Sequence, residues 1–458
     1  MEFHIDGIRD CWVMVDASAQ GQNATTSSVV VECSILTFGC NDDGQLGRGE
    51  KKKPTGTSIE GVSSSNQPQQ VGALRGLDSV MISCGSRHTL ALTTTGDVYS
   101  WGWGQMGQLG LGHHKSTNLP TKVPFFDECK IKLVHVSAGG CHSGAVTDQG
   151  EFHHRPCRIR VTVRVRAGQV YMWGEAHWGQ LGLSADLIEH LHQATPVLCK
   201  VIPGNSTDKI VSLSCGGTHT VALSEQGHVY TWGRRDNGQL GLGREWLHLE
   251  IETDGVSAFT PTRIEPESFG MEKVVQISAG AFHTAAITES GAVYTWGKED
   301  YGMLGVGHTA DIHVPRKVAY FDKEPARVVS CGGWHTAVVT RAGAAFVFGR
   351  GEYGRLGLGD GRSHSHPHKV ESLASHTIVD ASAGGSHTLF LTDKGEAFSC
   401  GRSDHGRLGN VEVKKYCSLP EPIQETTMGS IPVIQVAAGG AHSACLLHST
   451  RVVASSLS

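Results

Sequence analysis

The chain contains 26 histidines, a residue type that often binds metals or takes part in catalysis. Imidazole nitrogens ligate zinc, but a zinc site needs several ligands close together. Seven histidines instead recur 52–77 residues apart in a Gly-x-x-His-Thr/Ser motif: His88, His142, His219, His283, His335, His387 and His442. We therefore predict one shared structural role, in which each imidazole hydrogen-bonds neighbouring backbone groups, and no metal site.

Other chemistries find little support in the sequence. The dense cluster His364, His366 and His368 lacks cysteine or carboxylate companions at ligand spacing. The 13 cysteines include no Cys-x-x-Cys pair, which argues against a zinc ribbon or a thioredoxin-type site. Motifs such as Gly107–Gly110 follow strands without opening a helix, so they are turns and not phosphate cradles. The sequence predicts no catalytic residue, no cofactor and no enzyme activity.

Arginine is concentrated in an insertion that interrupts the regular pattern between Gly150 and Gln169. Within residues 151–168, arginines alternate with apolar residues, which is typical of a β-ribbon with one basic face. Four of them are candidates for binding an anion or a protein partner: Arg158, Arg160, Arg164 and Arg166. The alternative is a gene-model error, because the flanks rejoin as Asp-Gln-Gly followed by Gln-Val-Tyr.

Two further insertions differ in character. Residues 242–259 carry Trp246 and an acidic stretch from Glu250 to Asp254, which suggests a loop that docks a partner. A plain surface excursion is the alternative for that segment. Residues 50–70 are polar and rich in Ser, Gly and Pro, which favours a mobile loop.

All of these residues belong to a pattern that occurs seven times. A Val-Tyr-x-Trp-Gly motif, or a weaker version of it, ends at Gly39, Gly102, Gly174, Gly233, Gly297, Gly349 and Gly401. Together with the histidine motif and a Pro-led apolar segment, each copy contains four β-rich segments separated by glycine turns. Four-stranded sheets repeated radially make a propeller. The sequence therefore predicts an all-β fold, a seven-bladed β-propeller with four-stranded blades.

The two ends of the chain complete one blade together. The chain starts with a final strand, Ser34–Gly39, and ends with the preceding strands of a blade, Pro432–Leu447. We expect the N-terminal strand to close the last blade, since closure removes exposed strand edges. The predicted organisation is a partly disordered N-terminal extension (1–33), a propeller (34–449) with the insertion 151–168, and a C-terminal tail (450–458).

Composition narrows the classes of function. The chain has 39 Lys and Arg against 44 Asp and Glu, a net charge of −5, so no nucleic-acid binding is expected. The N-terminus lacks a basic and an apolar region, and no run of 18 apolar residues occurs, so neither a signal peptide nor a membrane span is expected. The number of cysteines is odd, and Cys84, Cys215 and Cys331 recur at one repeat position as small core residues do, which favours a reducing compartment. We therefore predict the cytoplasm, the nucleus or both.

The motif strings resemble the regulator of chromosome condensation repeat family. The matching residues are Ser83-Cys84-Gly85-x-x-His88-Thr89 and Val98-Tyr99-x-Trp101-Gly102, followed by Gly107-Gln108-Leu109-Gly110, with their six relatives over residues 34–447. The resemblance implies a seven-bladed propeller. Members of this family have divergent roles: one is the exchange factor for the small GTPase Ran, another is the plant UV-B photoreceptor, and others are domains of ubiquitin ligases.

The resemblance leaves three hypotheses. The first is a non-enzymatic protein-interaction scaffold with a protein partner. The second is a guanine-nucleotide exchange factor for a Ran-like small GTPase, although residues 175–197, where that factor inserts a β-wedge, keep a regular Gly179–Gly182 turn. A UV-B photoreceptor is the weakest, because its tryptophan positions are here Ser86, Gly140, Gly217, Ala281, Gly333, Gly385 and Gly440. The tryptophans of the Trp-Gly strands, Trp101, Trp173, Trp232 and Trp296, are expected to pack in the core. The oligomeric state is left open.

Overall fold

A computed structural model gives the backbone of most of the chain. It describes residues 27–49, 64–148, 150–154, 161–165, 168–183, 191–202, 208–247, 260–307, 310–410, 415–424 and 431–454. Residues 32–449 form one compact unit. Over the described residues the structure is almost entirely β, with one short helix, α1 (Pro124–Glu128). Short 3₁₀ turns cover Gly72–Leu74, Arg244–Leu247, Pro266–Phe269, Ala319–Asp322, Glu352–Gly354, Glu371–Leu373 and Asp404–Gly406.

The strands form seven four-stranded antiparallel sheets, which confirms the predicted propeller. From inner to outer strand they are: blade 1, β29 (Val433–Ala438), β30 (His442–Ala454), β1 (Ser27–Cys40), β2 (Ser64–Gln70); blade 2, β3 (Ser79–Cys84), β4 (His88–Thr93), β5 (Val98–Gly102), β6 (Thr117–Lys122); blade 3, β7 (Leu133–Ala138), β8 (His142–Thr147), β11 (Val170–Glu175), β12 (His192–Cys199); blade 4, β13 (Ile210–Cys215), β14 (His219–Ser224), β15 (Val229–Gly233), β16 (Thr262–Arg263); blade 5, β17 (Val274–Ala279), β18 (His283–Thr288), β19 (Val293–Gly297), β20 (Ile312–Lys317); blade 6, β21 (Ala326–Cys331), β22 (His335–Thr340), β23 (Ala345–Gly349), β24 (His364–Lys369); blade 7, β25 (Ile378–Ala383), β26 (His387–Thr392), β27 (Ala397–Arg402), β28 (Tyr416–Pro422). A separate two-stranded hairpin pairs β9 (Gly150–His154) with β10 (Val161–Val165).

Strand direction divides the molecule into two faces. Because neighbouring strands are antiparallel, each turn between inner and second strand lies at the same end as the loop between third and outer strand. We call this end the upper face. The lower face carries the turns between second and third strands and the connections to the next blade, such as α1.

Ring closure occurs where the sequence predicted it. Strand β1 lies between β30 and β2 in the sheet of blade 1, so the N-terminal strand completes the blade that the C-terminal strands begin. Strand β1 starts at Ser27, before the predicted first propeller residue 34, and β30 ends at Ala454, after the predicted last residue 449. The segment Ser64–Gln70, which the sequence assigned to a mobile loop, is the outer strand β2 instead. Residues 50–63 lie outside the described part.

Hydrogen bonds between blades form a closed circle at the upper face. In each turn after an inner strand, a backbone N–H donates to a glycine carbonyl of a neighbouring blade over 2.9–3.1 Å: Ser86 to Gly139, Gly140 to Gly216, Gly217 to Gly280, Ala281 to Gly332, Gly333 to Gly384, Gly385 to Gly439 and Gly440 to Gly85. The seven residues whose carbonyls accept these hydrogen bonds are all glycine, because a side chain at these positions would meet the neighbouring blade. A Cβ on Gly332, for example, would lie 2.5 Å from the Gly384 carbonyl oxygen.

Candidate protein-docking face

The seven repeated histidines have one shared structural role, as predicted, but their partner differs from the prediction. Each Nε2 contacts the hydroxyl of a Thr or Ser on the next blade and not a backbone group, over 2.7–3.0 Å: His88–Ser143, His142–Thr220, His219–Thr284, His283–Thr336, His335–Thr388, His387–Ser443 and His442–Thr89. The neighbouring-blade hydroxyl was not visible in the sequence, because it belongs to another copy of the repeat.

The hydroxyl fixes the protonation of each imidazole. Thr284 Oγ1 donates its one hydrogen to the carbonyl of Gln239 over 2.8 Å, and the other six hydroxyls do the same to equivalent carbonyls. The hydroxyl can therefore only accept from the histidine, so Nε2 carries the proton. Burial lowers the histidine pKa to about 3 at five positions: His88, His142, His219, His283 and His442. These imidazoles are neutral structural donors.

The tryptophans of the Val-Tyr-x-Trp-Gly strands complete the same network. Trp232 is buried, and its Nε1 donates to the Gln180 carbonyl over 2.9 Å, the same carbonyl that accepts from Thr220. Trp101, Trp173 and Trp296 repeat this arrangement. The expectation that these tryptophans pack in the core is confirmed. The repeated histidines, hydroxyl residues and tryptophans therefore stabilise the ring. A functional site is to be sought among the surface residues.

The upper face carries cations stacked on aromatic rings. Four consecutive blades place a cation directly after the third-strand glycine and pair it with a carboxylate two residues later: Arg234–Asp236, Lys298–Asp300, Arg350–Glu352 and Arg402–Asp404. These cations also lie over aromatic rings: Arg234 over Trp178 at 4.4 Å, Lys298 over Trp334 and Phe282 at 5.4 and 5.5 Å, Arg350 over Tyr301 at 4.6 Å, and Arg402 over Tyr353 at 4.9 Å.

On blade 2 the arrangement is made from other residues. Arg87, from the turn after the inner strand, lies 4.7 Å from the ring of Trp103 and pairs with Asp43 of blade 1 over 2.6 Å. We call the stacked cations and rings of the upper face, from Arg87 to Arg402, the cation–aromatic belt. Two of its rings are well exposed, Trp178 at 38% and Tyr301 at 50%, so a partner can contact them directly.

A glutamine controls the backbone of the loop that carries these rings. In blades 1 to 4 the glutamine of the Gly-Gln-Leu-Gly motif accepts, through Oε1, the N–H of the residue two positions earlier: Asp43, Met106, Trp178 and Asn237. Blades 5 to 7 have Met303, Arg355 and Arg407 in place of the glutamine. There the equivalent residues, Tyr301, Tyr353 and His405, have φ of 61–63°, the left-handed region. The three loops without the glutamine acceptor are therefore the three in which this residue lies in the left-handed region of backbone conformation.

The two arginines that replace glutamine are buried cations. Arg355 and Arg407 are 2% and 5% exposed, and their guanidinium groups donate to carbonyls of their own loops, Glu352 and Asp404. Each also reaches the circle of turns around the central channel, where Arg355 Nη1 lies 3.4 Å from the Gly385 oxygen. Burial lowers the pKa of Arg355 to about 10. Among the described residues, neither arginine has a carboxylate within 4.0 Å.

The predicted insertion lies on the lower face of blade 3. Gly168 has φ 75° and donates to the Thr147 carbonyl, as Gly96, with φ 74°, does to Thr93 in blade 2. The hairpin β9–β10 therefore extends from an otherwise regular turn. Arg164 lies in β10 at the position opposite Glu151.

The other predicted site residues are placed only in part. Arg158, Arg160 and Arg166 lie outside the described residues, so their role as a binding ribbon stays a prediction. Trp246 lies in the 3₁₀ turn Arg244–Leu247 and is half-buried, while most of its insertion, 248–259, is outside the described part. The wedge region 175–197 is described except for residues 184–190.

Sequence reasoning missed the cation–aromatic belt. It treated tryptophan mainly as core and did not single out Trp103 or Trp178 as surface groups. The available signal was the basic residue that follows the third-strand glycine in blades 4 to 7, together with the arginines at the glutamine position. Within the described residues, no group of three or more His, Cys, Asp or Glu side chains is arranged to hold a metal ion. No helix among them is long and apolar enough to cross a membrane.

Comparison with known proteins identifies the family. The RCC1-like domain matches residues 152–445, and the regulator of chromosome condensation (RCC1) repeat matches residues 34–92 and 95–146. The chain therefore belongs to the RCC1-like propellers of the regulator of chromosome condensation repeat family.

Individual relatives have diverse names. The chain is 34% identical to the ultraviolet-B receptor UVR8 of Arabidopsis thaliana, covering 82% of this chain and 76% of the receptor. It is 29% identical to the human regulator of chromosome condensation over 90% of both chains. It matches the human E3 ubiquitin-protein ligase HERC2 at 28% identity but spans only 8% of that protein. Among solved structures, Prp20p of Saccharomyces cerevisiae superposes with a TM-score of 0.73 at 23% identity over 91% of each chain, which shows the shared fold.

Proposed function

We propose that this chain is a non-enzymatic interaction scaffold that binds a protein partner through the cation–aromatic belt of its upper face. The belt is the observation that carries this proposal. Tyr, Trp and Arg are the residue types that dominate binding energy at protein interfaces. Here Trp178, Tyr301 and Arg350 are presented on loops that the ring holds in place, so little conformational entropy is lost on binding.

A matched pair of tyrosines tests the proposal. Tyr301 on the upper face is 50% exposed, and Tyr320, in a connection on the lower face, is 43% exposed. Proteins labelled by proximity in the native cell should be compared for wild type, Tyr301→Ala and Tyr320→Ala. We expect Tyr301→Ala to lose a defined partner, with at least about tenfold weaker binding when that partner is purified. Equal loss in both variants, or loss in neither, would reject the belt as the docking face.

The second candidate function is guanine-nucleotide exchange on a Ran-like small GTPase. The similarity to the human regulator of chromosome condensation over 90% of both chains favours it. Such a chain would distort the nucleotide site of its partner and perform no chemistry of its own. GDP release from a panel of purified small GTPases tests this candidate. Faster GDP release in the presence of this chain would favour an exchange factor over a scaffold that only binds its partner.

Two further parts of the proposal have their own tests. We place the chain in the cytoplasm, the nucleus or both, which fractionation with an antibody would check.

A UV-B-sensing role is the weakest candidate, in spite of 34% identity to the ultraviolet-B receptor UVR8. We expect size-exclusion profiles before and after UV-B irradiation to coincide. The arginine ribbon of residues 151–168 is kept as a separate candidate contact on the lower face, to be tested by its deletion.

A further inference from the structure

The upper face is electrically uneven around the ring. The described residues of this face in blades 6 and 7 include five arginines and Lys415 against three carboxylates, so positive charge is in excess: Arg350, Arg355, Arg362, Arg402 and Arg407 against Glu352, Asp360 and Asp404. Arg355 and Arg407 are the two arginines with no carboxylate within 4.0 Å among the described residues. In blade 3 the position of Arg350 and Arg402 holds Glu175 instead, and in blade 1 the position of Tyr353 and His405 holds Asp43. This positive sector stands out because the whole chain has a net charge of −5. Charge of one sign in one sector selects a partner of the opposite sign.

The uncompensated charge lies beneath exposed contact groups. Arg350 and Arg402 have 28% and 40% of their side chains exposed, and the ring of Tyr353 lies 4.9 Å from Arg402 and 5.9 Å from the buried Arg355. Tyr353 and His405 adopt left-handed backbone, with φ of 63° and 62°. Bulky residues in that region carry strain, and such strain is concentrated at binding and active sites.

We infer that blades 6 and 7 form a docking site for an acidic protein segment, whose carboxylates are attracted by the charge of Arg355 and Arg407 and contacted by Arg350, Tyr353 and Arg402. The inference rests on the proposed docking function and names the chemistry of the partner. Carboxylates are the anions that the exposed arginines already bind within the chain, in Glu352 and Asp404, so the proposal commits to carboxylates.

The repeat itself supplies matched variants. Met303 occupies the equivalent position in blade 5, where Tyr301 keeps a φ of 61°. Arg355→Met with Arg407→Met should therefore remove both charges and keep the left-handed loops. Arg355→Gln with Arg407→Gln restores the residue of blades 1 to 4, whose side chain accepts a backbone N–H. Arg263→Ala with Arg316→Ala removes two exposed cations from the outer strands of blades 4 and 5, which are not part of the belt, and serves as the outer-strand control.

The probe is a fluorescein-labelled peptide of about eight glutamates, and binding is followed by anisotropy in about 50 mM sodium chloride. Wild type and the outer-strand control should bind alike, whereas the double Met variant should bind at least about tenfold more weakly. The double Gln variant should be at least as weak. Raising the salt should weaken the binding of wild type more than that of the double Met variant. Thermal unfolding and circular dichroism establish that every variant is folded.

Three results would overturn the inference. The first is undiminished peptide binding in the folded double Met variant, and the second is an equal loss of peptide binding in the outer-strand control. The third is displacement of the peptide by inorganic phosphate well beyond that by sodium chloride of the same ionic strength, which would indicate a phosphate site. Any of these leaves the docking function standing if Tyr301→Ala still loses its partner. Loss of that function alone would appear as unchanged partner binding in Tyr301→Ala.

Discussion

Acidification should unfold this propeller cooperatively, because the seven histidines of the ring are buried and neutral. Desolvation lowers the pKa of His283 from 6.5 to about 3, and four other ring histidines are lowered to the same value. The pKa values of His335 and His387 are also lowered well below 6.5. In the unfolded chain these groups take up protons as the pH falls through about 6.5, whereas in the fold they do not. Stability is therefore complete above that pH and is lost below it.

The magnitude follows from this difference in proton binding. At about pH 5.5 an unfolded histidine is about nine-tenths protonated, which costs the fold about 1.3 kcal/mol per residue relative to about pH 7.5. Seven such residues give about 9 kcal/mol. Two carboxyls act in the opposite direction, because burial raises the pKa of Glu299 to about 7 and that of Asp380 to about 6. They offset about 2–3 kcal/mol of this loss, whereas His135, whose pKa burial lowers to about 4, adds about 1 kcal/mol to it. The net loss is therefore about 7–8 kcal/mol, comparable to the whole stability of many domains.

Urea unfolding followed by tryptophan fluorescence between about pH 5 and pH 8 measures this slope. His283→Gln should lower the slope at about pH 5.5 by about 0.9 proton, whatever its effect on absolute stability. His366→Gln, which removes an exposed imidazole from the outer strand of blade 6, is the control and should keep the wild-type slope. A flat profile for wild type, or the same slope in His283→Gln, would refute the account of the ring as a set of neutral donors.

The remaining predictions concern packing. Trp232→Phe should cost about 1–2 kcal/mol in urea unfolding, because it removes the bond to the Gln180 carbonyl while that carbonyl keeps Thr220; a loss above about 4 kcal/mol would contradict this. Gly332→Ala should cost about 3 kcal/mol or more, since its Cβ would meet the Gly384 oxygen at 2.5 Å, whereas Gly72→Ala, with open space around it, should be neutral. Deleting residues 151–168 should leave the melting temperature within about 2 °C, because Gly150 then takes the place of Gly168 in the turn; a large drop would show that the hairpin supports blade 3.

Much of the fold was predictable because each copy of the repeat has the same structural task. The blade count, the buried tryptophans and the closure by β1 were predicted from seven copies of the histidine motif and seven of the third-strand motif, four of which end in Trp-Gly. The outer strand β2 was missed, since Ser64–Gln70 is polar and an outer strand buries little of its surface. It is a strand because it pairs with β1, a contact that local sequence does not reveal.

The candidate site could not be predicted because it depends on contacts between copies. The histidine partner is a hydroxyl from the next blade, and the ring beneath Arg402 belongs to the preceding one. The link between glutamine and the left-handed loop also needs dihedral angles, which only the structure gives for Tyr301, Tyr353 and His405. The copies of the repeat differ both in long insertions and in single residues at the glutamine position. The sequence analysis considered the insertions, whereas the belt depends on the single residues.

The circle of hydrogen bonds around the central channel limits how this chain can evolve. Each blade donates to one neighbour and accepts from the other, so gaining or losing a whole repeat would alter the angle at every seam at once. A change of copy number should therefore be costly, even though successive repeats differ in length, with 52 to 72 residues between their third-strand glycines. Mutation is left to act on the loops, where a hairpin as long as β9–β10 can be added without disturbing the ring, so lineages of such propellers diverge at their faces.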